Sequence, residues 1–350
     1  FTTAGGVSAG RVAKWNGLTW SALGAGSANG TSGTVTALAV YDDGSGPALY
    51  VTGAFLSVAG GSVSAVRIAK WDGVSWSELG SGLSGAGKVL TVYDDGNGAK
   101  LYACGNFGYA GGLNSPDVAA WDGANWGFVG TPIGGGPVYA LTVFDDGSGA
   151  QLYTSGSRWN GTSWSLMPSG IAAATVYALT VFDDGAGPTL FAAGTFAASV
   201  NAPSGCIARW NGATWQIVGA GLLPWGAFTL ASFDDGNGAG PSLFVGGNFA
   251  NAGSVAAHYL AQWKRTCACT PVSYCSAGTT SNGCNAHLTA TGSASASAGS
   301  GFVLSASGVE GAATGLIFYG LNGVNSAPWG AGSSYLCLRY PVERTGNQNS

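Results

Sequence analysis

A tight acidic turn recurs five times along this chain, each time between two short apolar runs. It reads Tyr41-Asp42-Asp43-Gly44, Tyr93-Asp94-Asp95-Gly96, Phe144-Asp145-Asp146-Gly147, Phe182-Asp183-Asp184-Gly185 and Phe233-Asp234-Asp235-Gly236. In the first copy, residues 35–55 read as two strands joined by that turn. Asp and Gly supply what a short hairpin loop needs, local side-chain caps and residues at positive φ. Self-similarity of this kind marks a repeat architecture, in which each unit buries its apolar faces against its neighbours.

A second hairpin precedes the first acidic turn and follows each of the first four turns. It appears as WNGLTW (15–20), WDGVSW (71–76), WDGANW (121–126), WNGTSW (159–164) and WNGATW (210–215). Asn-Gly or Asp-Gly between strand formers is a strong hairpin signal. The second unit therefore predicts strands over 89–93, 101–105, 118–121 and 125–130, the first with period-2 alternation. Successive acidic turns lie 52, 51, 38 and 51 residues apart. Four strands in about 40–50 residues fit a β-propeller blade, and no amphipathic helical pattern supports a parallel α/β fold. The short third unit runs from Tyr153 almost directly into SGSRWNG, so it lacks the loop between its second and third strands.

The order Leu101-Tyr102-x-x-Gly105, then Ala119-x-Trp121-Asp122-Gly123, then a second tryptophan and a further strand resembles the kelch or galactose-oxidase-like propeller pattern. Gly246-Gly247 keeps the double glycine of that pattern, whereas Thr52-Gly53, Cys104-Gly105 and Ala193-Gly194 keep one. The resemblance covers roughly residues 1–265 and implies a fold, not an activity. More narrowly, the chain resembles secreted Trp/Asp-Gly repeat proteins of planctomycete-type bacteria, whose tails carry segments similar to YCSAGTTSNGC and GLIFYGLNGVNSAPWG here. The expected organisation is an all-β propeller over 1–265, a Cys-rich linker over 266–284 and a small, sandwich-like β module over 285–350.

Counting strands leaves two blade numbers open. Four units are whole, the front adds a third and fourth strand, and the back adds a first, second and third. Joining the partial units in one shared sheet gives five blades with one strand to spare; a missing front half-repeat would give six. Phe1 aligns with Phe55 of FLSVAGG, so the sequence is expected to open inside a repeat, and the last module to be incomplete.

Only 8% of residues are charged, the net charge is −4, and no basic cluster exists. These features argue against nucleic acid and anionic membranes as partners. No apolar run reaches the roughly 18 residues of a membrane span. The 46% apolar content, with 13 Trp and 14 Phe, provides for a large core. Five of the seven cysteines, Cys267, Cys269, Cys275, Cys284 and Cys337, crowd the last quarter. This favours disulfides and an extracellular, oxidising setting, with Cys275–Cys284 the first pairing to consider. A zinc site is the alternative, with His258 and His287 the only imidazoles. Cys104 and Cys206 read as buried small hydrophobes.

The acidic pairs hold ten of the 16 acidic residues. On a propeller they would gather on one face near the Trp hairpin turns. Asp42, Asp43, Asp94, Asp95, Asp145, Asp146, Asp183, Asp184, Asp234 and Asp235 then have two readings. They cap tight turns through their own backbone, or they offer oxygen ligands to Ca²⁺. The spacing lacks the order of a known calcium loop. The paired tryptophans likewise either pack blades together or present sugar platforms. Non-repeating aromatics such as Trp225 and Trp329 are better placed for a specific contact. Asn29-Gly-Thr31 and Asn160-Gly-Thr162 match the N-glycosylation pattern.

No nucleophile elbow, zinc-protease pair or phosphate loop is present, and copper ligation of the galactose-oxidase type would need a His/Tyr cluster the chain lacks. Tyr109 and His258 are the obvious groups for a propeller lyase or hydrolase. The sequence predicts no catalytic set and no cofactor other than the calcium alternative. The expected role is extracellular, structural or adhesive, with copies assembling into a surface layer or filament. A carbohydrate-binding propeller is the alternative.

Overall fold

The computed structural model describes residues 1–263 apart from 27, 133–135, 155, 168–174, 185–186, 197–205, 220 and 235–240; side chains of 223–225 are also outside it. Beyond 263 it describes the backbone of strand segments within 276–349. The described residues are all-β, with no α-helix. The chain divides into two compact units, one of 1–235 with 241–263 and the other of 236–240 with 264–350.

Each predicted whole repeat forms a four-stranded antiparallel sheet whose strands pair in sequence order. Sheet 1 comprises Thr34–Asp42, Pro47–Ala54, Ile68–Trp71 and Trp76–Glu78. Sheet 2 comprises Gly87–Asp94, Ala99–Gly105, Val118–Trp121 and Trp126–Phe128. Sheet 3 comprises Thr142–Asp145, Ala150–Tyr153, Ser157–Trp159 and Trp164–Leu166. Sheet 4 comprises Thr175–Asp183, Pro188–Thr195, Ile207–Trp210 and Trp215–Ile217. Sheet 5 has Leu222–Phe233, Ser242–Ala252 and Leu260–Trp263. A leading pair, Ala13–Trp15 with Trp20–Ala22, precedes them.

Both turn types form as their residues dictate. The acidic turn pairs Asp42 with Pro47 and Asp94 with Ala99, and its glycines Gly44, Gly46, Gly96 and Gly98 all adopt positive φ. The Trp hairpin pairs its two tryptophans directly, as in Trp71–Trp76 and Trp121–Trp126. Their ring centroids lie 5.3 and 5.5 Å apart, within the range of favourable aromatic pairs.

Between its second and third strands a full-length repeat inserts a small hairpin, such as Ser57–Val58 with Val63–Ser64 or Tyr109–Ala110 with Leu113–Asn114. The chain enters these third strands through a non-glycine residue at positive φ: Arg11, Arg67, Asp117, Cys206 and Tyr259 occupy equivalent places, at φ between 52 and 65°. The left-handed region costs such residues about 1 kcal/mol or more. Backbone bonds offset it: Arg67 N donates to Phe55 O, and Gly53 N donates to Arg67 O. The same pair recurs around Asp117, Cys206 and Tyr259.

Cores lie between successive sheets. One cluster joins Tyr41, Tyr50 and Ile68 of sheet 1 to Leu90, Leu101 and Trp121 of sheet 2. Others join sheets 2 and 3, 3 and 4, 4 and 5, and the leading pair to sheet 1. The first strands of neighbouring sheets contact one another in order. Every internal sheet is thus buried on both faces, which is why its strands carry apolar residues in both registers.

The shared sheet expected from joining the two ends does not form among the described residues. Arg11 to Trp15 and Tyr259 to Trp263 are equivalent third-strand segments, and the fourth strand Trp20–Ala22 pairs with the first of them and not with sheet 5. Leu38 on sheet 1 is consequently 52% exposed, whereas its equivalent Leu90 is 6% exposed against the preceding sheet.

In the second unit, Ser276–Thr279, Asn285–Thr291 and Val303–Ser307 form a three-stranded sheet. Thr314–Gly320 pairs with Val342–Asn349, and Ser326–Pro328 with Tyr335–Cys337. The segment expected as linker therefore contributes a strand. Cys267, Cys269, Cys275 and Cys284 lie outside the described residues, as do the side chains of Cys337 and His287.

Candidate functional site

The acidic turns are the densest polar constellation in the first unit, and their two aspartates have different work. The first accepts from its own turn: Asp42 Oδ1 takes Gly44 N at 2.9 Å and Gly46 N at 3.0 Å. Asp94 and Asp145 repeat both bonds, and Asp183 accepts from Gly187 N. These are the local caps that make Asp a turn residue.

The second aspartate faces a cation. Asp43 Oδ2 accepts from Lys70 Nζ and from the Tyr50 hydroxyl at 2.8 Å. Asp146 Oδ2 accepts from Arg158 Nη1 at 2.8 Å and Tyr153 OH at 3.1 Å. Asp184 Oδ2 takes Arg209 Nη1 at 2.6 Å, and Asp95 Oδ2 lies 3.5 Å from Lys100 Nζ. Lys70, Arg158 and Arg209 stand on third strands and Lys100 on a second strand, so each of sheets 1 to 4 carries the counter-charge for its own turn. The fifth pair includes Asp235, outside the described residues; Asp234 precedes it.

Burial works to raise the Asp43 carboxyl pKa. Hydrogen bonds from Lys70, Ser45 and Tyr50 outweigh it and hold the group far below the ordinary carboxylate range. Asp146 is also lowered, by the Ser148 hydroxyl foremost, with Tyr153 and Arg158 assisting against burial. Tyr50 is raised by burial and then by Asp43. Carboxylates held ionised this way are poor proton donors. A Ca²⁺ ion at one of these turns would have to displace a lysine or arginine from the carboxylate it needs. Among the described residues no group of three or more His, Cys, Asp and Glu side chains converges as a metal site.

The acidic turns and Trp hairpin turns share one end of neighbouring sheets. A Cβ on Gly123 would fall 2.9 Å from Asp43 Cβ, and one on Gly161 3.0 Å from Asp95 Cβ. Gly212 and Asp146 do not meet in this way. A groove of about 350 Å³ opens there instead, lined by Asp145, Asp146, Thr189, Arg209, Trp210 and Asn211.

Trp76, Trp126 and Trp164 serve the sheet interfaces, whereas Trp15 and Trp20 of the leading pair are 49% and 42% exposed. The indole Nε1 of Trp76 donates to Leu23 O, that of Trp126 to Leu79 O and that of Trp164 to Val129 O, at 3.0, 3.0 and 2.7 Å. Each acceptor lies three residues beyond the second tryptophan of the preceding repeat. The Asn or Asp of each hairpin caps its turn, as Asp72 Oδ1 does for Val74 N and Ser75 N and Asn160 Oδ1 for Thr162 N and Ser163 N.

Other sequence candidates are dispersed. Asn29 Oδ1 accepts from Gly10 N at 2.8 Å while Thr31 is buried, so this glycosylation match is part of a packed loop. Cys104 and Cys206 are buried, and burial pushes both thiols up. Tyr109 is exposed, and His258 lies beside Tyr259 with ring centroids 6.4 Å apart. The Trp225 side chain and Trp329 lie outside the described residues. No helix among the described residues is long and apolar enough to cross a membrane.

Sequence reasoning missed the cation opposite the acidic turns of sheets 1 to 4 and the left-handed residue that leads into third strands. Comparison with known proteins found no family model that matches the chain and no curated protein that matches it.

Proposed function

We propose that the chain is an extracellular β-propeller of structural or adhesive function, assembling with copies of itself into a surface layer or filament. The observation that carries this reading is where the repeated polar groups go. The recurrent aspartates cap turns and meet lysine or arginine of their own sheet, and three recurrent indoles bond the preceding repeat. Repetition therefore builds a rigid scaffold, and contacts with other molecules fall to the surface between its repeats.

That surface suits association through small side chains and backbone, because so few charges must be desolvated. Exposed apolar residues on the terminal sheets, Leu38 and Val40 on one and Phe228 and Phe233 on the other, add area for contact. The cysteine cluster after residue 265 favours the oxidising setting outside a cell. Sedimentation velocity over a concentration series tests the assembly. Sedimentation that rises with concentration is expected; a single monomeric species at the highest concentration would contradict it.

A further inference from the structure

We propose that a cleft between sheets 2 and 3 is a binding site for a neutral sugar chain. It is lined by Phe128, Gly130, Thr131, Trp159, Thr162, Ser163 and Trp164 and encloses about 430 Å³. That size falls within the roughly 300–1,000 Å³ of small-molecule sites.

The cleft lies where the repeat is broken. Elsewhere the hairpin between second and third strands packs its returning strand on the fourth strand of its own repeat: Val7–Ser8 on Trp20–Ala22, Val63–Ser64 on Trp76–Glu78, and Leu113–Asn114 on Trp126–Phe128. The approach is close enough that a Cβ on Gly111 would fall 2.5 Å from Trp126 Cδ1. In the third repeat only residues 154–156 separate the two strands, closed by Thr154 N donating to Ser157 O at 2.8 Å. Among the described residues no hairpin covers Trp164–Leu166. Trp164 keeps only the other contact of its kind, with Gly130 of the preceding sheet at 3.2 Å from an imagined Cβ to Cδ1, as Trp126 has with Gly80 at 3.6 Å. The cleft lies against that uncovered indole.

Phe128 is the second departure. Its equivalents in the other repeats are Ala22, Glu78, Leu166 and Ile217, so packing of the repeat does not call for an aromatic there. It is 58% exposed, a large aromatic surface held in water at the lip of the cleft.

The lining chemistry fits a sugar without charge. Phe128 and Trp164 offer faces whose negative quadrupole suits the C–H face of a pyranose ring. Thr131, Thr162 and Ser163 bring hydroxyls that both donate and accept, as sugar hydroxyls require. Among the described residues no charged side chain lines the cleft, so an anionic sugar finds no counter-ion there.

Calorimetry and tryptophan fluorescence on the full chain provide the test, with β-1,4-glucan, β-1,3-glucan and mannan hexasaccharides as neutral probes and a polygalacturonate hexamer as the acidic one. Saturable binding to at least one neutral probe is expected, weakened tenfold or more by Phe128→Ala and left intact by Phe128→Trp. Leu18→Ala, at the exposed tip of the first Trp hairpin, should leave it unchanged. Phe128→Ala should melt like the parent, because its side chain is already largely in water, so lost binding would not reflect unfolding. Absence of binding to every neutral probe, preference for the acidic probe, or undiminished binding by Phe128→Ala would overturn the proposal. The site is independent of self-association: an assembling protein that ignores all the sugars removes only the site, and a monomer that binds one removes only the assembly.

Discussion

The indole Nε1 of Trp126 donates a 3.0 Å hydrogen bond to the carbonyl of Leu79, 47 residues earlier and in the neighbouring sheet. Trp76 and Trp164 make the same reach to Leu23 and Val129. Trp215 occupies the equivalent place in sheet 4, yet its Nε1 is buried with no partner among the described residues. The tryptophan ladder is thus continuous through sheet 3 and interrupted after it.

This interruption makes a controlled comparison. Trp76→Phe and Trp215→Phe remove similar volume from similarly buried sites, but among the described residues only the first removes a made bond, and Leu23 O keeps its second donor, Gly30 N. Trp76→Phe is expected to destabilise by about 0.5–1.5 kcal/mol more than Trp215→Phe in urea unfolding, the net contribution of one hydrogen bond. Equal losses would show that the indole bond contributes nothing beyond packing.

Acid stability should follow the aspartates that face cations. Asp43 and Asp146 have folded pKa values below those of the unfolded chain. Their contribution is therefore fully present above the unfolded value of about 4 and is lost as pH falls through the folded values. Melting temperature is expected to be flat from neutrality to about pH 5 and to decline below about pH 4. Asp43→Asn should flatten that acid limb while lowering stability at neutral pH. A limb unchanged in Asp43→Asn would remove this carboxylate from the account.

Calcium provides a sharper test of the same turns. With lysine or arginine on the second aspartate of sheets 1 to 4, Ca²⁺ or a chelator at millimolar level is expected to shift the melting temperature by less than about 1 °C, since any ligand selective for the folded state raises it by mass action. A rise of several degrees with Ca²⁺, reversed by chelation, would establish the metal reading of the Asp-Asp pairs.

Asp117 is the odd member of the left-handed positions. Burial raises its carboxyl pKa, its φ is 65°, and among the described residues its side chain takes no hydrogen bond. Its equivalents Arg11 and Arg67 instead bond the carbonyls of Thr31 and Leu83 at 2.8 Å. Asn tolerates this conformation and carries no charge to desolvate. Asp117→Asn is expected to raise the melting temperature by about 1–2 °C at neutral pH, a gain that shrinks as acid protonates the parent. A lower melting temperature would show that the carboxylate has a partner beyond the described residues.

What could be read from the sequence was local. Asp42 bonds backbone two and four residues on, and Asp72 two and three, so their turns are legible in a run of six residues. The all-β class and the four-stranded sheets follow from those turns and the spacing between them. The partners across strands were not legible. Lys70 stands 27 residues from Asp43 and Arg158 stands 12 from Asp146, while in sheet 2 the cation moves to the second strand at Lys100. Entries into third strands at Arg67, Asp117, Cys206 and Tyr259 share a backbone conformation and a bonding pattern, not a side-chain type, so no residue signal marks them. The Phe128 cleft depends on a missing loop in one repeat and one unusual residue in another. Only the folded contact between sheets 2 and 3 puts the two together.

Negative-stain electron microscopy of the full chain tests the central claim most directly, that repeated four-stranded sheets build a propeller that associates with its own kind. The account predicts ring-shaped particles with a central channel, joined in ordered arrays or filaments. Elongated stacks without a ring outline, or rings that stay dispersed at every concentration, would contradict it.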